Sequence, residues 1–180
     1  MSTDDSKPTA ESPKTEPAPT PLVAAADVSI ADRPTVHVPE ERLYPLAEHA
    51  RHIADTWSGT RRDHLTGLLG EDAFAKHLGI ADRLNVEVYT DGGDGGFDLK
   101  CRGATIDVKT VGRQRSDPDL TVDAYKPLHA DYYALASRVD ETDVRLIGYA
   151  PRQFVANAST LTHKGRPYHV VEQDYLFPFR

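Results

Sequence analysis

The sequence predicts an α/β or α+β domain in which a mixed β-sheet is flanked by helices. Helical periodicity over residues 41–78 and a later series of short apolar runs separated by turn residues support this class. The length of 180 residues fits one domain, which usually has about 100 to 150 residues, plus a flexible extension. We therefore expect a single domain with one core.

Residues 1–40 are predicted to form a disordered acidic tail, and residues 41–180 the folded domain. The opening segment is rich in Ser, Thr, Pro, Glu, Asp and Lys and has almost no large apolar side chain, so it cannot bury enough surface to offset the cost of ordering. The apolar patch at 22–30 is too short for a membrane span and lacks the pattern of a signal peptide. These features predict an intracellular, cytoplasmic protein without a membrane partner.

The charge and the cysteine content exclude some classes of function. The chain has a net charge of -7. Seven acidic and three basic residues up to Glu40 give -4, which leaves -3 for the domain. This balance argues against a protein that coats nucleic acid by bulk charge, but it permits local basic contacts. The single Cys101 excludes an internal disulfide and a zinc site built from cysteines.

The helical region divides into two helices joined near residues 58–60, and Gly79 is predicted to end the second. Residues 83–90 alternate apolar and polar side chains, which is typical of a half-buried strand. Two further strands, 97–101 and 104–111, are separated by Arg102-Gly103 and read as a hairpin. Residues 112–130 are predicted to form a loop, and strands are expected at 130–137, at 144–151 and near the C-terminus.

The hairpin predicts a set of facing polar residues. If Arg102-Gly103 is a two-residue loop, Cys101 pairs with Ala104, and the same register places Asp98 opposite Asp107. Facing like charges destabilise a strand pair, and a divalent cation between them would reverse the effect. One face is then apolar (Phe97, Leu99, Cys101, Ile106, Val108) and the other polar (Asp98, Lys100, Thr105, Asp107, Lys109).

A helical carboxylate is the second candidate. Glu71 lies on the second helix among Leu68, Phe74, Ala75 and Leu78, so it projects from a mainly apolar stripe and needs a partner. Its neighbour Asp72 has Lys76 four residues later, which predicts an ordinary surface pair.

Simpler interpretations stay open beside these. A polar strand face is often only solvated, and Glu71 could be a boundary residue that reaches water. Calcium binding by the glycine-rich loop at 91–96 is excluded because its spacing does not supply the ligands of an EF-hand. His49 and His52 are spaced to share a metal ion, but no acidic or cysteine partner lies at a useful spacing.

Together these residues resemble the PD-(D/E)xK nuclease superfamily, also called the restriction-endonuclease-like fold. The pattern is a helical Gly-Glu pair, an Asp at a strand end, and (D/E)-x-K on the next strand, here Gly70-Glu71, Asp98 and Asp107-Val108-Lys109. The resemblance covers about residues 65–110. Phe97 stands where the proline that names the motif would be.

The resemblance implies a Mg²⁺-dependent deoxyribonuclease of the standalone, phage-like or resolvase-like kind, with Mn²⁺ as a substitute ion. It implies that Asp98, Asp107, the Val108 carbonyl and Glu71 hold the metal and that Lys109 orients or helps to deprotonate the attacking water. DNA is the expected substrate, and a homodimer is left open. Phosphate contacts are predicted for Thr110, Arg113, Gln114 and Arg115.

A second class of function remains open. The same fold could serve as a non-catalytic domain that binds nucleic acid or protein. Metal-dependent cleavage that requires Asp107 and Lys109 separates the two classes.

Overall fold

A computed structural model of the chain describes residues 32–81, 96–112 and 118–179. The described residues form three α-helices, eight β-strands and a short 3₁₀ helix. Their order along the chain is β1 (Thr35–His37), α1 (Glu40–Thr56), α2 (Arg61–His77), β2 (Leu99–Cys101), β3 (Ala104–Val111), β4 (Leu120–Asp123), β5 (Tyr132–Arg138), β6 (Asp143–Pro151), α3 (Arg152–Ala156), β7 (Ser159–His163), β8 (Arg166–Val171) and the 3₁₀ helix Gln173–Tyr175.

The strands form two sheets. The larger has the order β1-β6-β5-β3-β2, and it is mixed because β3 and β5 run parallel while the other neighbours are antiparallel. The smaller has the order β4-β8-β7 and is antiparallel. The predicted mixed α+β architecture is thus confirmed.

Helices α1 and α2 confirm the predicted pair. Helix α2 begins at a capping box in which Thr60 and Asp63 bond reciprocally, which satisfies amides that have no partner within the helix. Gly79, with φ +69°, follows its end as the sequence predicts. Helix α1 starts earlier than expected, at Glu40, so Pro45 lies within it.

The two faces of the larger sheet pack against different layers. On one face, Ala134 and Ala136 of β5 belong to a core cluster with Leu69 and Phe74 of α2. On the other, Tyr133 and Leu135 belong to a cluster with residues of the smaller sheet and α3. Because successive strand residues point to opposite faces, β5 separates a helix layer from the layer of the smaller sheet.

Several elements differ from the sequence-based prediction. Strand β1 lies within the segment predicted as tail, where Val38 is also buried. Strand β4 lies within the predicted loop, because its alternating Leu120 and Val122 are buried while Thr121 is exposed. Strand β7 and helix α3 were not predicted. The strand predicted at 83–90 falls outside the described residues.

Arg33, which precedes β1, hydrogen-bonds the backbone of β6 at a β-bulge. The pairing of β5 with β6 shifts between Leu135–Gly148 and Ala136–Leu146, which leaves Ile147 as an extra residue. The guanidinium of buried Arg33 donates to the Ile147 carbonyl. The ladder cannot satisfy this oxygen, so Arg33 supplies the missing donor.

The described helices include none that is both long and apolar enough to cross a bilayer.

Candidate active site

The site is built on the hairpin that joins β2 to β3. Arg102 and Gly103 have φ values of +50° and +89°, as a two-residue turn that follows the twist of the strands requires. Cys101 pairs with Ala104 and Leu99 with Ile106, so the predicted register is confirmed. Phe97, however, packs with the cluster on the opposite face from Leu99 and Val108.

Asp98 directly precedes β2, just beyond the last pair of the ladder, and is held against β3. Its backbone N–H donates to the Ile106 carbonyl at 2.9 Å. Its side-chain Oδ2 accepts from the Val108 N–H at 2.6 Å. The carboxylate therefore lies beside the backbone between Asp107 and Lys109, fixed by the strand rather than by a flexible side chain.

Asp107 and Lys109 form an ion pair with 2.6 Å between Oδ1 and Nζ. The Asp107 side chain is 15% exposed and that of Lys109 41% exposed. Their partners in the parallel register are Tyr133 and Leu135, so both charged side chains point to the face covered by the smaller sheet.

The carboxylates act on one another electrostatically. Burial raises the pKa of Asp98 well above its ordinary value, and the negative charges of Glu71 and then Asp107 raise it further. The hydrogen bond from Val108 and the charge of Lys109 work in the opposite direction without cancelling the rise. Glu71 of α2 and Asp107 of β3 thus each lie close enough to Asp98 for their charges to act on its carboxylate.

Lys109 stays protonated in this setting. Burial lowers its pKa, but the charge and hydrogen bond of Asp107 and the charge of Asp98 outweigh that effect, so the pKa lies above its usual value. The side chain is therefore an ammonium that donates hydrogen bonds. This state favours the predicted role of orienting water over that of deprotonating it.

Asp72, which the sequence predicts at the surface, is the more buried of the two neighbouring acids of α2. Glu71 is partly buried, and its Oε1 lies 3.8 Å from where a Cβ on Gly67 would stand. Asp72 is 2% exposed and accepts from the Arg42 guanidinium of α1 at 2.5 Å. Lys76 instead donates to the His37 carbonyl at 2.8 Å, so the expected surface pair of Asp72 and Lys76 is wrong.

Gly70 sets the distance between α2 and the site strand. A Cβ at this position would lie 1.8 Å from Thr110 Oγ1 and 3.0 Å from Thr110 Cβ. No side chain larger than that of glycine fits without a shift of helix or strand. The glycine of the Gly-Glu pair therefore lets the helix that carries Glu71 lie directly on β3.

Among the described residues, none of those predicted to contact phosphate lies at the site. Thr110 points toward α2, and its hydroxyl is buried without a hydrogen-bond partner among them. Strand alternation puts it on the face opposite Asp107. Arg113, Gln114 and Arg115 fall outside the described residues.

Three residues near the site were missed by sequence reasoning. Asp131 Oδ2 accepts from the backbone N–H and the hydroxyl of Thr105, and its Oδ1 accepts from Arg152 at 2.6 Å. Tyr133 is buried opposite Asp107, where burial and then the charge of Asp107 raise its pKa. Only the parallel pairing of β3 with β5 brings them here, and no local pattern signals that pairing.

The donor set matches a hard divalent cation in its chemistry. Carboxylates and a backbone carbonyl are oxygen ligands of the type that Mg²⁺ uses, and burial together with the charges of Glu71 and Asp107 raises the pKa of Asp98. In their present arrangement, the described residues contain no group of three or more His, Cys, Asp or Glu side chains that could hold an ion. His49 and His52 likewise gain no third partner there.

A separate apolar cavity of about 590 Å³ lies on the other side of the sheet. Phe74 of α2, Ala134 of β5 and Phe179 near the C-terminus are among its lining residues. Because Ala134 faces the helices, this cavity is not part of the charged site.

Comparison of the chain with protein-family models, with curated proteins and with solved structures finds no match.

Proposed function

We propose that this chain is a metal-dependent DNA nuclease of the PD-(D/E)xK type, with a restriction-endonuclease-like fold. The observation that carries the proposal is the position of Asp98, whose carboxylate bonds the Val108 N–H at 2.6 Å. This bond sets Asp98 beside the ion-paired Asp107 and Lys109. The arrangement is the expected one for two strands that present acids and an amine to one phosphate.

The charges of the site support a divalent cofactor. Glu71, Asp98 and Asp107 in their ionised forms carry three negative charges against the one positive charge of Lys109, a net of -2. Asp98, Asp107, the Val108 carbonyl and Glu71 would hold the ion. When bound, Mg²⁺ would supply a water of lowered pKa and offset charge on the phosphate oxygens.

The residues of the chain have distinct tasks in this proposal. The Lys109 ammonium, held by Asp107, donates to the attacking water or to a phosphate oxygen, and its fixed positive charge favours the more negative transition state. Asp98 is oriented by its hydrogen bond from the Val108 N–H of the strand backbone. Hydrolysis forms a phosphorus–oxygen bond to water and breaks the bond to one sugar oxygen, which leaves as an alcohol.

The test is cleavage of plasmid, linear and branched DNA with Mg²⁺, with Mn²⁺ and with EDTA. We expect cleavage only with metal, and a loss of about 10²-fold to 10⁴-fold in Asp107→Ala and Lys109→Ala. Asp55→Ala and Lys100→Gln are matched controls, since both residues are exposed and lie outside the site. Metal-independent cleavage, or full activity in the Asp107 and Lys109 variants, would contradict the proposal.

One observation favours a non-catalytic DNA-binding domain as the second candidate. Lys109 already neutralises Asp107 through a 2.6 Å ion pair. Retained DNA binding without cleavage under any metal would select this second function.

A further inference from the structure

The charge of the chain is unevenly distributed along its C-terminal third. Residues 144–171 contain four Arg or Lys residues and no Asp or Glu, although 28 of the 180 residues in the chain are acidic. A stretch of this length would otherwise contain several acids. Its four cationic residues are Arg145, Arg152, Lys164 and Arg166.

Part of this stretch projects as a hairpin of β7 and β8. All five residues of β7 are exposed, so neither face of the strand is covered. The turn residues Lys164 and Gly165 have φ values of +48° and +78° and are exposed, as is Arg166. We call residues 159–167 the basic ribbon.

The side chains of β7 are suited to polar recognition. Four of the five, Ser159, Thr160, Thr162 and His163, carry hydrogen-bonding groups, and Leu161 is the exception. Acidic residues of the smaller sheet are found at its other end or on its other edge: Asp119 accepts from the Gln173 N–H, and Asp123 pairs with Tyr168. Asp123 thus lies at the tip end of the sheet but on the opposite edge strand, and none of the residues His163–Arg166 pairs with an acid.

The basic ribbon lies on the same side of the larger sheet as the candidate site. Asp107 and Lys109 share a face with Tyr133 and Leu135, and that face is covered by the smaller sheet. Helices α1 and α2 cover the opposite face. A molecule held by the ribbon thus approaches the side from which Asp107 and Lys109 are reached.

Chain connectivity also relates the ribbon tip to the end of the larger sheet nearest the site. Beside the tip, the Ala124 N–H donates to the Pro167 carbonyl at 3.0 Å. Residues 124–130 then lead to Asp131, which directly precedes β5. The Asp131 carboxylate accepts from Thr105 of β3. Arg152 and Asp131 form an ion pair at this end of the larger sheet.

We propose that the basic ribbon binds double-stranded DNA in a groove and positions it for the candidate site. The proposal rests on the nuclease function and specifies its substrate as duplex DNA. A two-stranded β-ribbon fits the major groove of B-form DNA, whereas the deep, narrow major groove of A-form RNA excludes side chains. A surface for single strands would need aromatic platforms. The basic ribbon contains no Phe, Tyr or Trp, and its one aromatic ring is the imidazole of His163.

Pairing with a second copy is the competing use of β7. It is the outermost strand of its sheet. Proline and lysine protect edge strands from pairing, and β7 contains neither. An antiparallel pair centred on Leu161 would bury a side chain that is 61% exposed. The cationic tip favours DNA, because self-pairing makes no use of Lys164 and Arg166.

The test measures binding of a fluorescein-labelled duplex, and of the same single strand, to the full chain in EDTA. The variant is Lys164→Asn with Arg166→Gln; asparagine suits the positive φ of the turn, so the hairpin is retained. We expect duplex affinity to fall about tenfold and the slope of log K against log salt to decrease by about 2. Single-strand binding is expected to be weaker in the wild type and to change less.

A matched variant removes the same number of charges from the helix layer. Arg51→Gln with Lys76→Gln changes two exposed residues of α1 and α2 and is expected to leave duplex binding unchanged. Equal losses in both double variants, or none in the ribbon variant, would overturn the proposal. A dimer that Leu161→Lys dissociates, combined with unchanged DNA affinity in the ribbon variant, would assign β7 to self-association.

Cleavage with metal separates the two proposals. If the chain cleaves DNA and the ribbon variant has an unchanged KM, the ribbon proposal fails and the nuclease stands. If the chain does not cleave but the ribbon variant loses duplex affinity, the nuclease fails and duplex binding stands. If the nuclease proposal and the ribbon proposal both hold, the ribbon variant should have a higher KM for duplex DNA. Its single-turnover cleavage at saturating protein should be preserved.

Discussion

The two faces of β3 carry different kinds of side chain. Toward the helices, Val108 is buried and Thr110 packs against Gly70. Toward the smaller sheet, Asp107 and Lys109 form an ion pair beside Asp98. Neighbouring residues of one strand therefore face an apolar layer fixed by shape and a charged region defined by electrostatics.

This contrast indicates where the protein is stable and where it is strained. The helix face fits closely, so a change of volume there should affect unfolding. The charged face holds acids that repel one another, so removal of an acid there should affect activity more than stability. Four predictions follow this distinction, from the largest expected effect to the smallest.

Asp98→Asn should separate activity from stability. Asparagine keeps an oxygen that can accept from the Val108 N–H. It also removes a buried negative charge, and burial is the main cause of the raised pKa of Asp98. Cleavage should fall about 10³-fold, while the free energy of unfolding should rise. DNA cleavage and urea unfolding measure the two effects, with Asp55→Asn on α1 as the control. Wild-type cleavage or a less stable variant would show that charge does not dominate this face.

Gly70→Ala should have the reverse effect, because it disturbs the closely packed face. The added Cβ would stand 1.8 Å from Thr110 Oγ1, and overpacking of this kind costs about 3 kcal/mol of the free energy of unfolding. Gly67→Ala is the matched control on the same helix, since the nearest atom to its Cβ would be 3.8 Å away. There alanine should stabilise the helix by up to about 1 kcal/mol. Equal stability of the two variants would contradict close contact between α2 and β3.

The ion pair within the helix layer should respond unequally to loss of its two members. The Asp72 side chain is 3% exposed and that of Arg42 is 42% exposed. Arg42→Gln leaves a buried carboxylate without its partner and should cost about 2 kcal/mol, whereas Asp72→Asn leaves an arginine that reaches water and should cost less. Thermal unfolding of both variants checks the order, and neither should change cleavage by more than its effect on folding. A larger loss in Asp72→Asn would contradict the burial argument.

As the pH falls, the stabilising contribution of His77 on α2 should be lost before that of Asp131. Burial lowers the pKa of His77 on α2 below its ordinary 6.5, so its stabilising contribution is lost as the pH falls below 6.5 and through the folded value. Hydrogen bonds from Thr105 lower the pKa of Asp131 below its ordinary 3.8, so its contribution is lost only below 3.8. His77→Gln should flatten the upper part of the stability curve, and Asp131→Asn the lower part. Urea unfolding across a range of pH measures both effects. If the two variants flattened the same part of the curve, this order would be contradicted.

The sequence predicts local structure well where one short signal determines it. Arg102-Gly103 alone sets the register that pairs Cys101 with Ala104, and Gly79 correctly follows the end of α2. The start of α2 at Arg61 likewise agrees with the predicted joint near residues 58–60. Such signals act between neighbouring residues, so no knowledge of the rest of the fold is needed.

The sequence predicts poorly what depends on distant pairing. Asp72 has Lys76 at the right spacing, yet it pairs with Arg42 because two helices pack side by side. Thr110 follows Lys109 directly, but strand alternation turns it toward Gly70. The short strand β4 carries only two buried apolar residues, too few for a period to be recognised among charged and turn residues.

The contact of Arg33 with the extra residue of β6 has a consequence for the limits of the domain. Its guanidinium reaches the Ile147 carbonyl from a position before the first strand, where composition alone still resembles the preceding tail. Trimming that keeps Arg33 should leave the five-stranded sheet complete, and trimming that removes it should expose an unsatisfied carbonyl at the centre of the fold. The folded domain of this protein therefore extends back at least to Arg33, ahead of the first helix.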